Sequence, residues 1–365
     1  MAQLFESFTI RGLAIPNRFV RSATVDNLGE NQEVSQAQLD FYRELARGEV
    51  GLIISSGLFP SLDGWAAPGQ VGIHRDEQVR TLRRLTAVVH KEGGRVVAQL
   101  MHAGWFGNPE LSGQTLVGPM QTVNPANGRE VRALASQEVY QHVEDFARAG
   151  RRAREAGFDG VQVHAAHSWL VSAFLSPATN HRKDEWGGSA AKRSAFLIKI
   201  LEGLRRECGP DFPLLIKLGL RDYHPQGKTL AEGIDLVRAA MRAGLDALEI
   251  SEGLEGQPFH HIREAATRPY YLAETRALRE AVNLPTIVVG GFRRLEDMQA
   301  VVEGDLADAV SLCRPFIMDQ HLVRKLRTGA LSRSDCVSCN GCIQEMHRRN
   351  LHCVFRGGLL TPPSP

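Results

Sequence analysis

Eight short apolar, β-prone runs recur along this chain, with enough sequence between neighbours for a helix: FVRSAT, GLIISSG, RVVAQL, GVQVHAA, PLLIKLGL, ALEISEG, TIVVGG and AVSLCRP. Runs that are apolar nearly throughout are buried on both faces, which is a property of parallel sheets. The intervening segments carry helical periodicity, clearest in DEQVRTLRRLTAVVHKEGG, SQEVYQHVEDFARAGRRAREAGF, SAFLIKILEGLRREC, TLAEGIDLVRAAMRAG and RRLEDMQAVVEG. Glycine closes several of them, as a left-handed C-terminal cap would. Regular alternation selects an α/β fold, and eight units predict a closed (β/α)8 TIM barrel over a doubly wound open sheet. The 365 residues suffice for one such barrel, expected over residues 1–330, with a short cysteine-rich C-terminal extension over 331–365.

Charge removes some functions from consideration. Lys and Arg total 43 against 41 Asp and Glu, so a net charge of +2 gives no field for holding a nucleic acid backbone. The opening MAQLFESFTI has neither a basic start nor an apolar core, and no stretch reaches the roughly 18 to 20 apolar residues of a membrane span. A cytoplasmic protein acting on a small molecule is the expectation, and a homo-oligomer is compatible with it.

Barrel enzymes build their sites at the C-terminal ends of the strands. There the runs end in Ser22, Ala23 and Thr24; Gly57; Gln99 and His102; His164 and His167; Lys217; Glu249 and Ser251; Gly290 and Gly291; and Arg314. Strands seven and eight commonly flank a phosphate, which Gly290, Gly291 and Arg314 suit; the alternative is a tight turn with Arg314 paired to an acid. Lys217, inside an apolar run, needs a partner. A flat heteroaromatic ring meeting Lys217 and the Gln99 amide would provide one, and an ion pair with Glu249 is the competing reading. His164 and His167 can converge on one oxygen, each donor contributing about 3 kcal/mol to a developing oxyanion.

These features resemble the old yellow enzyme family of NAD(P)H:flavin oxidoreductases. LFESFTIRGLAIPNRFVRSAT, VVAQLMHAG, VHAAHSWLVSAFLSPATNHRKDEWGGSAAKRSAF, KLGLRDYHPQG, VVGGF and SLCRPFI follow its pattern in order over nearly the whole chain. The resemblance implies FMN across the barrel mouth, with Ser22, Ala23, Thr24, Gly57, Gln99 and Lys217 at the ring and Gly291, Cys313 and Arg314 at the phosphate. It implies that His164 and His167 anchor the acceptor. Hydride would pass from NAD(P)H to the flavin and on to an activated C=C bond. Where ene-reductases of the family usually place a proton-donating tyrosine, this chain has Trp169, whose indole cannot serve as that acid. A missing general acid costs about 10²- to 10⁴-fold. Water, Tyr223, His224, His260 and His261 are candidate substitutes. A flavin-dependent isomerase, an amine dehydrogenase and a partner-dependent electron-transfer flavoprotein are the alternatives, with a Schiff-base lyase using Lys217 outside the flavin class.

Four of the six cysteines crowd the C-terminus as C-x2-C-x2-C-x10-C: Cys336, Cys339, Cys342 and Cys353. That spacing can wrap a 4Fe-4S cluster, with zinc or free thiols as competitors. The tail resembles the cluster-binding branch that includes 2,4-dienoyl-CoA reductase and trimethylamine dehydrogenase. The sequence lacks the further domains of those relatives, so a cluster here is expected to serve a separate redox partner protein or a structural role.

Overall fold

The computed structural model describes residues 3–124, 127–254, 269–346 and 351–356. Its centre is a closed barrel of eight parallel strands: β1 (Phe19–Arg21), β2 (Leu52–Ile54), β3 (Val96–Leu100), β4 (Gly160–Ala165), β5 (Leu214–Gly219), β6 (Ala247–Ser251), β7 (Thr286–Val289) and β8 (Ala309–Leu312). Each strand pairs with its sequence neighbours, and β8 returns to β1 through the register Val310–Phe19, Ser311–Val20 and Leu312–Arg21. All eight lie within the apolar runs read from the sequence. Several shrink to three or four residues, because the ladders end where each run bends into its loop.

Ten helices are used below or frame the strands: α1 (Gln36–Arg47), α2 (Gln78–Lys91), α3 (Ser136–Glu155), α4 (Leu170–Leu175), α5 (Ala190–Cys208), α6 (Leu230–Arg242), α7 (Leu272–Ala281), α8 (Leu295–Glu303), α9 (Arg314–Met318) and α10 (Leu322–Arg327). Their starts follow from local chemistry. Glu138 accepts from the Ala135 N–H at 2.7 Å at the head of α3, and Thr229 with Glu232 forms a reciprocal cap at the head of α6.

Strand residues two apart share a face, so the barrel interior can be read in layers. The lower layer is apolar: Val20, Leu52, Ile54, Val97, Leu215, Ala247, Ile287 and Ala309 form one buried cluster. Ile10 and Ile15, from an N-terminal hairpin (Phe8–Ile10 with Leu13–Ile15), are fully buried in that same cluster and plug the barrel floor. Two residues further along several strands the same inward face turns polar, giving Ser22, Gln99, Lys217, Glu249 and Ser311. This change of character faces the mouth and marks the layer that positions the site.

The C-terminal extension packs back on the barrel. Leu351 donates its N–H to the Asp26 carbonyl at 3.0 Å, and Ile317 of α9 shares an apolar cluster with Cys342 and Leu351. Among the described residues no helix is long and apolar enough to cross a membrane.

Candidate active site

The polar layer is a directed hydrogen-bond relay. Gln99 donates from Nε2 to Gln162 Oε1 at 2.8 Å, and Gln162 donates from Nε2 to Glu249 Oε2 at 3.0 Å. Glu249 Oε1 accepts from the Ser311 hydroxyl at 2.8 Å and lies 3.3 Å from Lys217 Nζ, which also donates to Ser22 Oγ at 2.6 Å. Glu249 and Gln162 are fully buried, and Lys217 is 4% exposed. Burial raises the Glu249 carboxyl, but Lys217 first, then Ser22, Ser311 and Gln162, outweigh it and leave the group below its ordinary range. A carboxylate only accepts, so it fixes which end of Gln162 faces it, and Gln162 then fixes the Gln99 amide. The ion pair weighed for Lys217 from the sequence is present.

Gln162 and Ser311 were not singled out from the sequence, and Glu249 was named only at its strand end and as the ion-pair partner of Lys217. Their signal was the two-residue period: Gln162 precedes His164 on the inward face of β4, and Glu249 precedes Ser251 on β6.

His164 and His167 meet at the end of β4, with ring centroids 5.1 Å apart. His164 Nδ1 accepts the Ala166 N–H at 3.3 Å, so the neutral ring carries its proton on Nε2. His167 adopts φ 58°, which turns the chain back so that its N–H reaches the Glu252 carbonyl at 3.2 Å while Nε2 contacts Ser251 Oγ at 2.7 Å. Burial, then the neighbouring His167 and Lys217 charges, holds His164 well below the usual imidazole range. Burial and Lys217 lower His167 to about 3. Both rings are therefore neutral at pH 7. Trp169 caps α4 from beside them, 6.1 Å from the His164 ring and 5.3 Å from Phe106.

The proton donors considered for the missing tyrosine fare differently. Tyr223 donates to Glu274 Oε1 at 2.8 Å, and burial followed by that hydrogen bond pushes its phenol up to about 12. His224 accepts the Gln226 N–H on Nδ1. His260 and His261 lie outside the described residues.

At the ends of β7 and β8, Gly290 (φ 101°) and Gly291 (φ 78°) make a turn that only glycine adopts without strain. The Tyr270 ring covers this turn: a Cβ on Gly290 would meet it at 2.4 Å. The buried Tyr270 hydroxyl and Arg293 Nε have no hydrogen-bond partner among the described residues. Two unsatisfied donors on the residues flanking this turn suit an anion there, and the relay's Gln99 end suits the polar edge of a flat ring. The other expected ring and phosphate residues are placed as follows. Thr24 Oγ1 lies 2.8 Å from Cys313 Sγ, Ala23 packs against the lower apolar layer, and Gly57 accepts from Gln70 Nε2 at 2.8 Å. Arg314 reaches the C-terminal extension, donating to Asn340 Oδ1 at 2.6 Å and to the Ser338 carbonyl at 3.3 Å.

That extension brings its cysteines together. Cys336, Cys339, Cys342 and Cys353 line one small cavity, open in part to solvent, with Arg314, Ile317 and Phe355. None is in a disulfide. Burial, followed by neighbouring thiols, pushes Cys342 up to about 12, and burial also raises Cys336.

Comparison with known proteins identifies the family. The profile of the NADH:flavin oxidoreductase / NADH oxidase family matches residues 3–332. An NADH oxidase of Thermoanaerobacter brockii is 32% identical over 93% of this chain and 53% of its own length. A 4,4'-dithiodibutanoate disulfide reductase of Rhodococcus erythropolis is 28% identical over 99% of this chain and 97% of its own. A 2-naphthoyl-CoA reductase solved with 2-naphthoyl-CoA superimposes with a TM-score of 0.91 at 27% identity, over 96% of this chain and 56% of that one. The chain spans about half the length of the first curated relatives it matches. By profile, barrel and mouth, this chain belongs to the NADH:flavin oxidoreductase / NADH oxidase family, the old yellow enzyme type of FMN oxidoreductase.

Proposed function

We propose that this chain is an NAD(P)H-dependent FMN reductase of a small electrophile, with an α,β-unsaturated carbonyl as the leading acceptor. The observation that carries the reading is the pair of neutral imidazoles at the end of β4, one with its proton on Nε2. A neutral imidazole N–H polarises a carbonyl without giving up its proton, and each such donor contributes about 3 kcal/mol as charge develops on oxygen. The Ser251 hydroxyl can donate into His167 Nε2, leaving Nδ1–H as the second donor. FMN, when bound, supplies a hydride from its reduced ring.

In this reading Ser22, Ala23, Thr24, Gly57, Gln99 and Lys217 hold the ring, and Gly291, Cys313 and Arg314 hold the phosphate. The unsatisfied Tyr270 hydroxyl and Arg293 Nε support an anion beside Gly290 and Gly291. Lys217, already satisfied by Glu249 and Ser22, would meet the ring as a fixed positive charge.

A second acceptor class is favoured by Trp169. Reducing a disulfide expels a thiolate, which needs no acid to protonate carbon, so a site without the tyrosine loses little. The full-length match to a disulfide reductase supports the same direction. Anaerobic single-turnover mixing of the photoreduced protein with 2-cyclohexenone and, separately, with 4,4'-dithiodibutanoate distinguishes the two. Reoxidation by the enone, accelerated about 10²-fold in Trp169→Tyr, supports alkene reduction. Reoxidation by the disulfide alone, indifferent to that substitution, supports the second class, and reoxidation by neither counts against both.

We propose further that the four tail cysteines hold a 4Fe-4S cluster that serves a redox partner protein or a structural role. The support is that all four cysteines line one cavity, with the C-x2-C-x2-C spacing that a cluster uses. Iron and acid-labile sulfide analysis of anaerobically purified protein tests it, with about four of each per chain expected.

A further inference from the structure

Outside the flavin site, three segments bring ionisable groups together behind the mouth. Asp63 lies in the loop after β2, His102 in the loop after β3, and His142 on α3. One carboxylate oxygen of Asp63 is 3.1 Å from His102 Nε2, and the other is 3.3 Å from His142 Nε2. The second nitrogen of His142, Nδ1, faces Asp145 Oδ2 at 3.5 Å. The His102 side chain is fully buried and that of His142 is 8% exposed.

The contacts bear on the charge states. His102 Nδ1 accepts the Gly104 N–H at 3.0 Å, so its single proton sits on Nε2, on the side of Asp63. His102 Nε2 and His142 Nδ1 lie close to their carboxylates without completing a hydrogen bond, so these are charge contacts. A carboxylate beside each ring nitrogen of His142 favours its charged form. A metal ion on Asp63, His102 and His142 is the rival arrangement, since their donor atoms lie within 4.8 Å of one another. A metal on His102 Nε2 would move that ring's proton to Nδ1, directly against the Gly104 N–H, so the tautomer disfavours it.

We infer that His142 is a buried imidazolium clamped between Asp63 and Asp145, and that this clamp positions the loop after β3 against Trp169 at the acceptor site. The connection runs through short contacts. The His102 carbonyl accepts the N–H of Leu170, the residue following Trp169, at 3.1 Å. Ala103 N–H bonds the Gly64 carbonyl beside Asp63, and Phe106 of the same loop sets its ring edge-on to Trp169. Burial depresses His142, but the carboxylates of Asp145 and Asp63 beside it outweigh this and lift it to about 9. The remaining charges around the clamp are Glu138 on the same helix, Arg148 paired with Asp145, Arg132 acting on Asp63, and His74 near Asp145. His142 is a positioning residue, and the inference does not depend on which acceptor is reduced.

The test uses the flavin-loaded full chain. In [¹⁵N]histidine-labelled protein, both His142 ring nitrogens, assigned by their loss in His142→Gln, are expected in the imidazolium range at pH 7.5 and to convert near pH 9. Asp145→Asn, the milder change if His142→Gln fails to fold, lowers that midpoint by about one pH unit or more. Trp169 emission, taken as wild type minus Trp169→Phe, shifts over the same interval and ceases to shift in that range in His142→Gln. A neutral His142 at pH 7.5, a Trp169 signal indifferent to His142, or one equivalent of zinc bound to purified wild type and absent from His142→Gln would each overturn the inference.

Discussion

Replacing Glu249 with glutamine removes one charge from the barrel interior and hardly changes the volume. The gross attraction between Lys217 and Glu249 at 3.3 Å is about 5 kcal/mol at an effective dielectric of about 20. Part of this offsets desolvation of two buried ions, and breaking such a pair from one side costs about 3 kcal/mol or more. The change also reaches the relay. A glutamine whose oxygen keeps the Ser311 bond turns its NH₂ toward the Gln162 NH₂; if Gln162 flips, it loses the bond from Gln99. With an unfolding entropy of about 2.1 cal/mol/K per residue, a 365-residue chain losing about 3 kcal/mol should melt about 4 °C lower. Lys217→Met removes the other charge, and the double variant removes both, so the cycle should return a coupling of about 2 kcal/mol or more. The assay is thermal unfolding followed by far-UV circular dichroism at pH 7 with FMN held saturating, because a bound ligand shifts the midpoint by mass action. Additivity of the single changes to within about 0.5 kcal/mol would refute the argument that the pair is a desolvated, mutually dependent unit.

Removing the Nε2 donor with His164→Ala should slow acceptor reduction about 10²-fold or more in stopped-flow single turnovers, while flavin content stays unchanged. The His142 clamp links stability to pH. Its folded value of about 9 lies above the unfolded 6.5, so the stabilisation is complete below pH 6.5 and is lost as pH rises through 9. Some 3 kcal/mol follows from that difference, and urea unfolding at pH 7 and pH 10 should reveal a loss in wild type that His142→Gln lacks. Gly290→Ala combines a positive φ of 101° with collision against Tyr270, and should lower FMN retention on gel filtration under conditions where wild type stays yellow. Cys342→Ser should abolish the iron and sulfide content of anaerobically purified protein while leaving the flavin spectrum in place.

The strands were legible because burial on both faces writes an apolar run, and the structure starts and stops its ladders within those runs. The paired histidines and Trp169 were legible for a different reason: they occupy one strand end and the turn that follows it. The relay was less visible, although its members obey the two-residue period. A single glutamine or glutamate in an apolar run could face inward or outward, and the phase is set only when Val97, Leu215 and Ala247 pack with the hairpin plug. The His142 clamp was beyond reading from sequence. Its members lie on a loop, a strand end and a helix about forty residues apart, and His142 alone is an ordinary residue of an amphipathic helix. Arg314 was noted for its position, but its partners Ser338 and Asn340 belong to a segment whose path over the barrel no periodicity announces.

The isoleucine plug at the barrel floor bears on how two reactants can be served. With the lower end stoppered by Ile10 and Ile15, whatever the proposed reaction consumes must arrive and leave at the upper opening. If reductant and acceptor use one position there, initial-rate plots should give parallel lines, with inhibition by either compound at high concentration.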